Sequence, residues 1–419
     1  MKDIENSKKE TPFLSLTGMG GGVASLMWET GIGPFNLWCC GNNDDGMLGI
    51  NKSESTLARI SSPVQIPGSW KYLSNVGYKN KFGIKDDGTL WSWGNNENGY
   101  LGLNDTVYRS SPTQIGTNTD WTNVQSAAYA VVAVRDNGSL WTWGENEYGQ
   151  LGQNQPEYTR YSSPVQVPGT WPTSIYKVTA FEKGVMAIKE SGALWMWGSN
   201  ITGELMINRS GQPAASPTKL EYVSSPVQIE SSGWKAVIGG GSPLFALKDD
   251  DTLWTCGNVQ SGGGSPAPTA TVKNSSPVQV PGTWKSNAGK SNEYRHLIES
   301  NQQGGNSAGQ TTDNTSYTWG YGGSGRLGTN NTTNYLTSKA SNPMTNFDHV
   351  TCTQYNTFWV KDGKLYGTGA DFGAFAIPGK DYSTPAPSPR SRPIQIGTHT
   401  DWYSVSASAQ VNWFGFRKQ

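Results

Sequence analysis

Apolar and polar residues alternate over short stretches of the chain, and each stretch ends at a tight turn. In residues 82–85 the apolar Phe82 and Ile84 alternate with smaller or polar residues, and Asp87-Gly88 follows. Alternation with a period of two predicts a half-buried β-strand. An Asp-Gly pair between two such strands predicts a hairpin with a type I′ turn, in which both central residues have positive φ. Runs of Leu, Ala, Glu and Lys at a helical period are absent, so the pattern predicts an all-β protein.

One strand motif, Leu-Trp-x-Trp-Gly, recurs seven times in complete or decayed form. A glycine turn such as residues 99–102 follows it, then an extended Ser-Pro-Val-Gln segment such as residues 62–65, and then a closing aromatic residue such as Trp121. The closing glycines of the motif, which are 49 to 63 residues apart, are Gly41, Gly94, Gly144, Gly198, Gly257, Gly320 and Gly369. Self-similarity at such a period is typical of a repeat architecture in which each copy is one supersecondary unit.

Fifteen of the 18 tryptophans fall at repeat positions, the others being Trp28, Trp359 and Trp413. Residues two apart in a strand point to the same face, so the paired indoles of one motif need a neighbouring sheet to cover them. Cys40 and Cys256 stand at tryptophan positions and are predicted to be buried, inert core thiols. The predicted structural anchors of the blades are Trp91, Trp93, Trp141, Trp143, Trp195, Trp197, Trp254 and Trp319.

The two ends of the chain supply complementary parts of one repeat. Trp402 and the alternating strand that runs to Phe416 have no Leu-Trp motif after them, and residues 33–38 provide that missing strand. We therefore predict an all-β, seven-bladed β-propeller of four-stranded antiparallel blades at residues 34–419. Pairing of its N-terminal strand with C-terminal strands closes the ring and leaves no exposed sheet edge. Residues 1–33 are predicted to form an N-terminal arm.

Composition and charge argue against several classes of partner. Lys+Arg and Asp+Glu are both 32, and no basic stripe occurs, which argues against a nucleic-acid partner. No apolar run of about 18 residues is present, so we expect no membrane insertion. The arm mixes both charges and is interrupted by glycines at positions 18 and 20–22, unlike a signal peptide. We expect a protein made in the cytoplasm and not secreted through a signal peptide.

No catalytic or metal-binding constellation can be placed on the sequence. The cysteines are Cys39, Cys40, Cys256 and Cys352, and the histidines are His296, His349 and His399; neither set has the spacing of a zinc site or a disulfide framework. The acidic residues 249–251 occupy a hairpin-turn position and are interpreted as a solvated turn rather than a calcium site. The sequence thus predicts a protein that is not an enzyme and that uses no cofactor or metal.

The motifs Leu-Trp-x-Trp-Gly, Asn-x-x-Gly-x-Leu-Gly and Ser-Pro-Val-Gln, at this spacing, resemble the repeats of the regulator of chromosome condensation family over roughly residues 34–416. The resemblance implies the seven-bladed propeller. The eukaryotic founder of that family is a nucleotide exchange factor for a small GTPase and also binds chromatin, and a bacterial relative inhibits β-lactamases. Many family copies carry a histidine in the strand before the Asp-Gly turn. Here we place Lys81, Val131, Val185 and Phe358 at that position, so no exchange site is carried over.

A second resemblance concerns the exact amino-acid sequence of two repeats. Residues 162–171 and 275–284 both read Ser-Ser-Pro-Val-Gln-Val-Pro-Gly-Thr-Trp, which is similar to propellers of marine bacteriophage virion proteins. Those proteins often carry a short apolar, glycine-rich leader before the first repeat. The corresponding leader here is residues 11–28.

The leader and three long insertions are left over after the repeat is accounted for. The leader is predicted to dock on another subunit or a capsid, because exposed apolar side chains in a glycine-rich arm favour a partner; folding back across the propeller is the alternative. Its candidate partner-binding residues are Phe13, Leu14, Leu16, Met19, Leu26, Met27 and Trp28. The insertions are residues 203–223, 260–274 and 301–315, the last of which we place where other blades have a two-residue turn. Each insertion is either a recognition loop or plain surface.

The favoured hypothesis is a non-enzymatic structural or interaction protein of a bacteriophage virion, anchored by its N-terminal arm. It would serve as a capsid decoration, fibre or tail adhesion module, with another virion protein as its partner and a host-surface ligand as a further one. The alternative is a soluble regulator or inhibitor that binds a protein partner through one propeller face. A carbohydrate-binding lectin is a third hypothesis.

Overall fold

A computed structural model of the protein describes residues 34–74, 79–201, 203–207, 222–239, 244–258, 273–288, 296–300, 305–340, 344–370, 390–407 and 412–418. The predicted arm at residues 1–33 lies outside them. Secondary structure in the described residues is almost entirely β, with two single-turn 3-10 helices at Asp44–Gly46 and Gly323–Gly325.

The described strands pair with antiparallel neighbours that are mostly consecutive along the chain. The first thirteen are β1 (Phe35–Asn42), β2 (Arg59–Leu73), β3 (Asn80–Lys85), β4 (Leu90–Gly94), β5 (Arg109–Gln114), β6 (Trp121–Ser126), β7 (Ala130–Arg135), β8 (Leu140–Glu145), β9 (Arg160–Val167), β10 (Val178–Phe181), β11 (Gly184–Ile188), β12 (Leu194–Ser199) and β13 (Tyr222–Glu230). The remaining strands are β14 (Trp234–Ile238), β15 (Leu244–Lys248), β16 (Thr252–Asn258), β17 (Lys273–Thr283), β18 (Ile298–Ser300), β19 (Asn306–Gln310), β20 (Ser316–Gly320), β21 (Tyr335–Ala340), β22 (His349–Cys352), β23 (Asn356–Lys361), β24 (Lys364–Gly369), β25 (Arg390–Gln395), β26 (Trp402–Ala407) and β27 (Trp413–Lys418).

These strands form seven antiparallel, four-stranded blades. Blade one consists of β26, β27, β1 and the first part of β2, and blade two of the rest of β2 with β3, β4 and β5. Blades three to seven are each four consecutive strands that begin with β6, β10, β14, β18 and β22. The first strands of neighbouring blades pack against one another around the centre. The predicted seven-bladed all-β fold is confirmed.

Blade one joins the two ends of the chain, as predicted. Strand β1 pairs with β27, and Cys40 lies opposite Trp413. Blade one then contacts blade two, because the Ser406 hydroxyl donates a hydrogen bond of 2.9 Å to the Ser74 carbonyl. Phe414 of blade one also packs edge-on against the Trp93 ring of blade two.

The hairpin turns differ in type from the prediction. In blade two Gly88 has φ +77° while Asp87 keeps negative φ, and the Gly88 N–H donates to the Lys85 carbonyl. This is a type I turn followed by a left-handed glycine, a three-residue connection that the Asp-Gly pair also fits. A Cβ at Gly88 would collide with the Thr119 carbonyl, so this position requires glycine. The predicted type I′ turn occurs in blade seven, where Asp362 and Gly363 both have positive φ.

An indole in the third strand connects each of blades two to four to the blade before it. The ring nitrogen Nε1 of each fully buried tryptophan donates a hydrogen bond to a carbonyl in the glycine loop of the preceding blade. These inter-blade hydrogen bonds run from Trp93 to Met47 at 2.9 Å, from Trp143 to Tyr100 at 2.8 Å and from Trp197 to Gln150 at 3.1 Å.

Degenerate blades keep the inter-blade contact with other donors. The Cys256 thiol donates to the Glu204 carbonyl at 3.1 Å, and the Thr368 hydroxyl donates to the Gly325 carbonyl at 2.9 Å. Trp359 and Trp413, which no repeat position accounts for, lie fully buried on second strands. Trp413 faces Cys40, so it fills the space where the motif of blade one lacks its second indole.

The predicted insertion at residues 301–315 is wrong in its placement. Residues 306–310 form β19, which pairs with β18 and β20 as the second strand of blade six. Its sequence, Asn-Ser-Ala-Gly-Gln, has no large apolar residue, and Gly309 lies directly beneath the Trp284 ring. The short turn is at residues 312–314, as in other blades. Of the other two predicted insertions, residues 208–221 and 260–272 lie outside the described residues.

Replacing Trp143 with Phe removes the inter-blade hydrogen bond and leaves the buried Tyr100 carbonyl without its donor. We expect Trp143→Phe to lower the free energy of unfolding by about 2–4 kcal/mol, measured by urea denaturation. The matched control is Trp141→Phe, because Trp141 is half-buried and bonds only to the nearby Ser139 hydroxyl. Equal losses in the two variants would contradict this role for Trp143.

Candidate partner-binding face and central shaft

The antiparallel order of the blades gives the propeller two unlike faces. Connections from second to third strands lie on one face, here called the hairpin face, with turns at residues 86–88, 136–138, 190–192, 249–251, 312–314 and 362–363. Connections from third to fourth strands lie on the opposite face, here called the loop face, with described loops at residues 43–58, 95–108, 146–159 and 321–334.

Large exposed apolar side chains of the described residues concentrate on the loop face. Those on the loop face are Val107, Tyr108, Tyr158, Ile201 and Tyr321, whereas Val64 and Val227 lie on outer strands. Tyr158 is the most exposed, at 67%, and Val107 follows at 60%. Tyr158 also has φ +62°, a conformation that is unfavourable for a bulky residue. Aromatic residues of this kind are enriched at protein interfaces.

The hairpin face is occupied by contacts of the protein with itself. The Lys85 ammonium lies 3.5 Å from the centre of the Trp91 ring, and the Lys189 ammonium lies 3.8 Å from that of Trp171. In blade one Arg417 pairs with Asp401 at 2.8 Å. Cations that are stacked on indoles or paired with carboxylates leave little unsatisfied surface for a partner on this face.

The predicted blade anchors fall into two sets. The second tryptophan of each motif is fully buried between blades; these are Trp93, Trp143, Trp197 and Trp319. The first tryptophan is half-buried toward the hairpin face; these are Trp91, Trp141, Trp195 and Trp254. The predicted partner-binding residues of the arm, Phe13, Leu14, Leu16, Met19, Leu26, Met27 and Trp28, all lie outside the described residues.

Around the axis the first strands place a ring of side chains, polar except for Ile238, which we call the central shaft. One residue of each blade occupies the same register, and all seven are buried: Ser74, Gln125, Thr179, Ile238, Glu299, Thr351 and Ser406. Glu299 is the one carboxylate among these seven. No sequence motif marks this ring, because its members lie on strands that are distant along the chain.

Lys81 lies beside the shaft with no exposed surface. Its ammonium is 3.5 Å from both the Ser74 carbonyl and the Ser406 hydroxyl, and 5.0 Å from the centre of the Phe414 ring. Burial lowers the pKa of Lys81 to about 7, although the charge of Glu299 acts in the opposite direction. An ammonium group in this environment is therefore easily deprotonated.

Glu299 and two histidines lie near one another on blades six and seven beside the shaft. Burial raises the pKa of Glu299 to about 8, while the Ser300 N–H and Lys81 act to lower it. His296 Nδ1 lies 4.0 Å from a Glu299 oxygen, and the His296 backbone N–H donates to His349 Nδ1 at 2.7 Å. Because Nδ1 of His349 accepts, its Nε2 donates to the Val405 carbonyl, which fixes one neutral tautomer and ties blades six, seven and one together.

The strand pairing corrects one of the four residues that we placed at the family's histidine position. The residue opposite the second tryptophan of the motif is Lys81 in blade two, and its equivalent in blade seven is Thr357 opposite Thr368. The assignment of Phe358 to this position is therefore wrong by one residue. Val131 and Val185 do occupy it in blades three and four.

Thiols and acidic residues offer little chemistry in the described residues. All four cysteines are buried, and burial raises the pKa of the Cys40 thiol to about 12 and also raises that of Cys256, so both are unreactive as predicted. Residues 249–251 form the predicted turn, where Asp251 pairs with Lys235.

The described part of the chain holds no group of three His, Cys, Asp or Glu residues that could bind a metal. Among the same residues, no helix has the length and apolarity needed to cross a membrane.

The fold and its repeats define a seven-bladed β-propeller with two distinct faces. Residues 87–134 and 137–184 match the model of the regulator of chromosome condensation (RCC1) repeat. Each match runs from the hairpin turn of one blade to the second strand of the next. Two segments of the chain thus match repeats of this family, and the predicted resemblance to the regulator of chromosome condensation repeats is confirmed.

Solved structures share the architecture over nearly the whole chain. Prp20p of Saccharomyces cerevisiae, described with its binding to Gsp1p and histones, is 17% identical over 93% of this chain and 92% of its own, with a TM-score of 0.73. Yeast RCC1 (Prp20) bound to Kap60 is 17% identical over 99% and 97%, with a TM-score of 0.72. Human WBSCR16 is 15% identical over 92% and 99%, with a TM-score of 0.71. At these identities the likeness establishes the fold alone.

Replacing Lys81 with Met should stabilise the protein at low pH. Because the pKa of Lys81 falls from 10.5 to about 7 on folding, wild-type stability contains a penalty below pH 7 that disappears as the pH rises to 10.5. We expect Lys81→Met to be more stable than wild type at pH 6, by on the order of 2–5 kcal/mol, and equal to it near pH 10.5. Thermal denaturation between pH 6 and 10.5 measures the difference.

The control for this experiment is Lys52→Met, which removes an exposed ammonium and should change stability little at any pH. If Lys81→Met were less stable than wild type at both ends of the pH range, the two hydrogen bonds of Lys81 would outweigh its desolvation, and the interpretation would be wrong.

Proposed function

We propose that this protein is a non-enzymatic propeller that binds a protein partner through its loop face. The observation that carries the proposal is the concentration of exposed Val107, Tyr108 and Tyr158 on neighbouring blades two and three of that face. Exposed apolar clusters with aromatic anchors favour a protein partner. The hairpin face, with its stacked and paired cations, offers no comparable cluster in the described residues.

The structural neighbours support a binding role in general terms. Prp20p is described with its binding to Gsp1p and histones, and yeast RCC1 with Kap60. A propeller of this type therefore serves elsewhere as a protein-binding platform. The partner of this chain is a separate question, since fold alone does not determine function.

For the biological setting, we propose a bacteriophage virion component that is made in the host cytoplasm and anchored by the arm at residues 1–33. The proposal rests on the amino-acid sequence shared by residues 162–171 and 275–284 and on the apolar leader at residues 11–28. The loop face would then point away from the particle or bind a further virion protein. The alternative is a soluble regulator or inhibitor, which would use the same face and would not need the arm.

A photo-reactive p-benzoylphenylalanine at Tyr158 should cross-link the partner in its native setting, and mass spectrometry would identify it. We expect Tyr158→Ala combined with Tyr108→Ala to weaken binding of that partner at least tenfold, because aromatic anchors dominate interface energies. The melting temperature should stay the same, since both side chains are exposed. The matched control is Val64, an apolar residue of blade one that is exposed on an outer strand. Equal cross-linking from positions 64 and 158 would contradict the loop-face proposal.

Removal of residues 1–33 separates the virion component from the soluble regulator. We expect the shortened chain, residues 34–419, to keep the melting temperature of the full chain, because the blades lie within Pro34–Gln419. It should be lost from purified virus particles, in which the full chain is present at a fixed ratio to the major capsid protein by mass spectrometry. If the full chain is absent from particles and the shortened chain still binds its partner, the soluble regulator is the better description.

A further inference from the structure

Acidic side chains surround the exposed apolar residues of the loop face on blades two and three. These apolar residues, here called the loop-face patch, are Val107, Tyr108 and Tyr158. The loops that carry them, with the adjoining strand ends, are residues 95–109 and 145–160, which contain five carboxylates but only two cationic side chains. Both cations are already paired with carboxylates of the same segments. The ion pairs are Arg109–Asp105 at 2.6 Å and Arg160–Glu145 at 3.6 Å.

The other three carboxylates of these segments, Glu97, Glu147 and Glu157, form no ion pair with a described residue. Glu97 and Glu157 are exposed, and Glu147 is half-buried. Glu157 accepts a hydrogen bond from the Tyr222 hydroxyl, a neutral group that leaves the negative charge in place. The segments that carry the loop-face patch therefore hold negative charge that their own cations do not neutralise.

Lys183 of blade four also lies on the loop face, beside Glu182 in sequence. Its ammonium stacks on the Tyr148 ring, 4.2 Å from the ring centre. This cation–π contact engages the ammonium within the protein, and the adjacent Glu182 offsets its charge. The excess of negative charge around the loop-face patch therefore persists when blade four is included.

Hydrogen bonds within and between the two loops place the three carboxylates beside the loop-face patch. These bonds run from the Asn96 side chain to the Val107 carbonyl at 3.2 Å, from the Asn146 side chain to the Pro156 carbonyl at 3.2 Å, and from Arg160 to the Asn98 side chain at 3.0 Å. Glu97, Glu147 and Glu157 each directly follow one of the bonded residues, and Glu157 immediately precedes Tyr158. Apolar and acidic side chains are thus held together on two neighbouring loops.

We propose that the loop-face patch binds a basic segment of the partner protein. Lysine or arginine side chains of that segment pair with Glu97, Glu147 and Glu157, and an apolar side chain covers Tyr158. The inference rests on the proposed loop-face function and names the chemistry of its partner. Complementary charge steers the encounter and rejects partners of the wrong charge. An apolar or acidic partner would cover the three carboxylates without compensation, which is unfavourable.

Blade six presents an aromatic side chain on the same face without this negative charge. Tyr321 is 49% exposed, but residues 321–334 contain no carboxylate. Their one cation, Arg326, is buried and lies 4.8 Å from the centre of the Tyr321 ring. Exposed aromatic area is therefore common to both places, and it is the carboxylates that direct a basic segment to blades two and three.

The test starts from the full chain, immobilised and exposed to a phage-displayed library of random 12-residue peptides. We expect the recovered peptides to be enriched in lysine or arginine, with at least one aromatic or aliphatic residue. A recovered peptide, synthesised with a fluorescent label, should bind at least tenfold more weakly in 300 mM than in 50 mM NaCl, because salt screens exposed charges. Recovery of mainly acidic or uncharged peptides, or of none, would overturn the proposal.

Two triple variants with the same change in net charge locate the site. The carboxylate variant is Glu97→Gln, Glu147→Gln and Glu157→Gln, and we expect it to bind the recovered peptide at least tenfold more weakly than wild type. The matched control is Asp136→Asn, Glu190→Gln and Asp249→Asn, at three exposed positions in hairpin-face turns, and it should bind like wild type. Both variants should keep the melting temperature, because each substitution preserves side-chain size at the surface. Equal binding by the two triple variants would overturn the proposal.

Tyr108→Ala combined with Tyr158→Ala separates this inference from the proposed function. We expect this tyrosine variant to bind the recovered peptide weakly as well, since the basic segment also contacts the apolar residues. If the tyrosine variant loses the peptide and the carboxylate variant binds it fully, the basic-segment inference is refuted while the loop-face proposal stands. If both variants bind it fully, the peptide binds elsewhere and both proposals are refuted.

Discussion

In blades two, three and four, an indole lies wholly out of water between two sheets and donates its one hydrogen to a carbonyl of the preceding blade. A buried N–H needs an acceptor, so the indole and the glycine loop that offers the carbonyl constrain each other. At Gly102 and Gly152 a Cβ would press on the ring of Trp143 or Trp197, and both glycines have positive φ. Blades two, three and four are therefore each positioned by the preceding blade, while blade one is completed by the pairing of β1 with β27 and packs on blade seven through β26 and β22.

This constraint explains which parts of the fold could be predicted from the sequence. The inter-blade contact requires tryptophan and glycine at fixed positions of each repeat. The repeat and the number of blades could therefore be predicted from the sequence, even in copies with cysteine in place of tryptophan. The sequence did not predict that a residue on one strand replaces a missing indole on another. Trp413 fills the space beside Cys40 from a neighbouring strand about 370 residues away in sequence. Strand β19 was missed because a strand of small and polar residues has no alternating apolar signal.

The candidate sites were less predictable than the fold for a related reason. Lys81, Glu299 and His349 belong to three different blades, and each looks ordinary within its own strand. Their burial arises only when seven first strands converge on one axis, and convergence has no local sequence signature. Exposure of Val107 and Tyr158 likewise depends on how each loop leaves the blade.

The same inter-blade contact also explains why the two faces differ in their freedom to vary. It holds the first half of each loop on the loop face, up to Gly102 in blade two and Gly152 in blade three, through backbone carbonyls and glycines. Asn104 and Asn154 then bond to Ser162 and Ser224 of the following blade. The last part of each loop, at residues 105–108 and 155–159, accepts no indole hydrogen bond and carries Val107, Tyr108 and Tyr158. On the hairpin face the short turns connect strands whose cations stack on the first indole of the motif in blades two and five, Lys85 on Trp91 and Lys248 on Trp254, so substitutions there disturb the blade itself. New partner contacts can therefore arise on the loop face with little effect on stability, and it is there that selectivity for a partner is expected to reside.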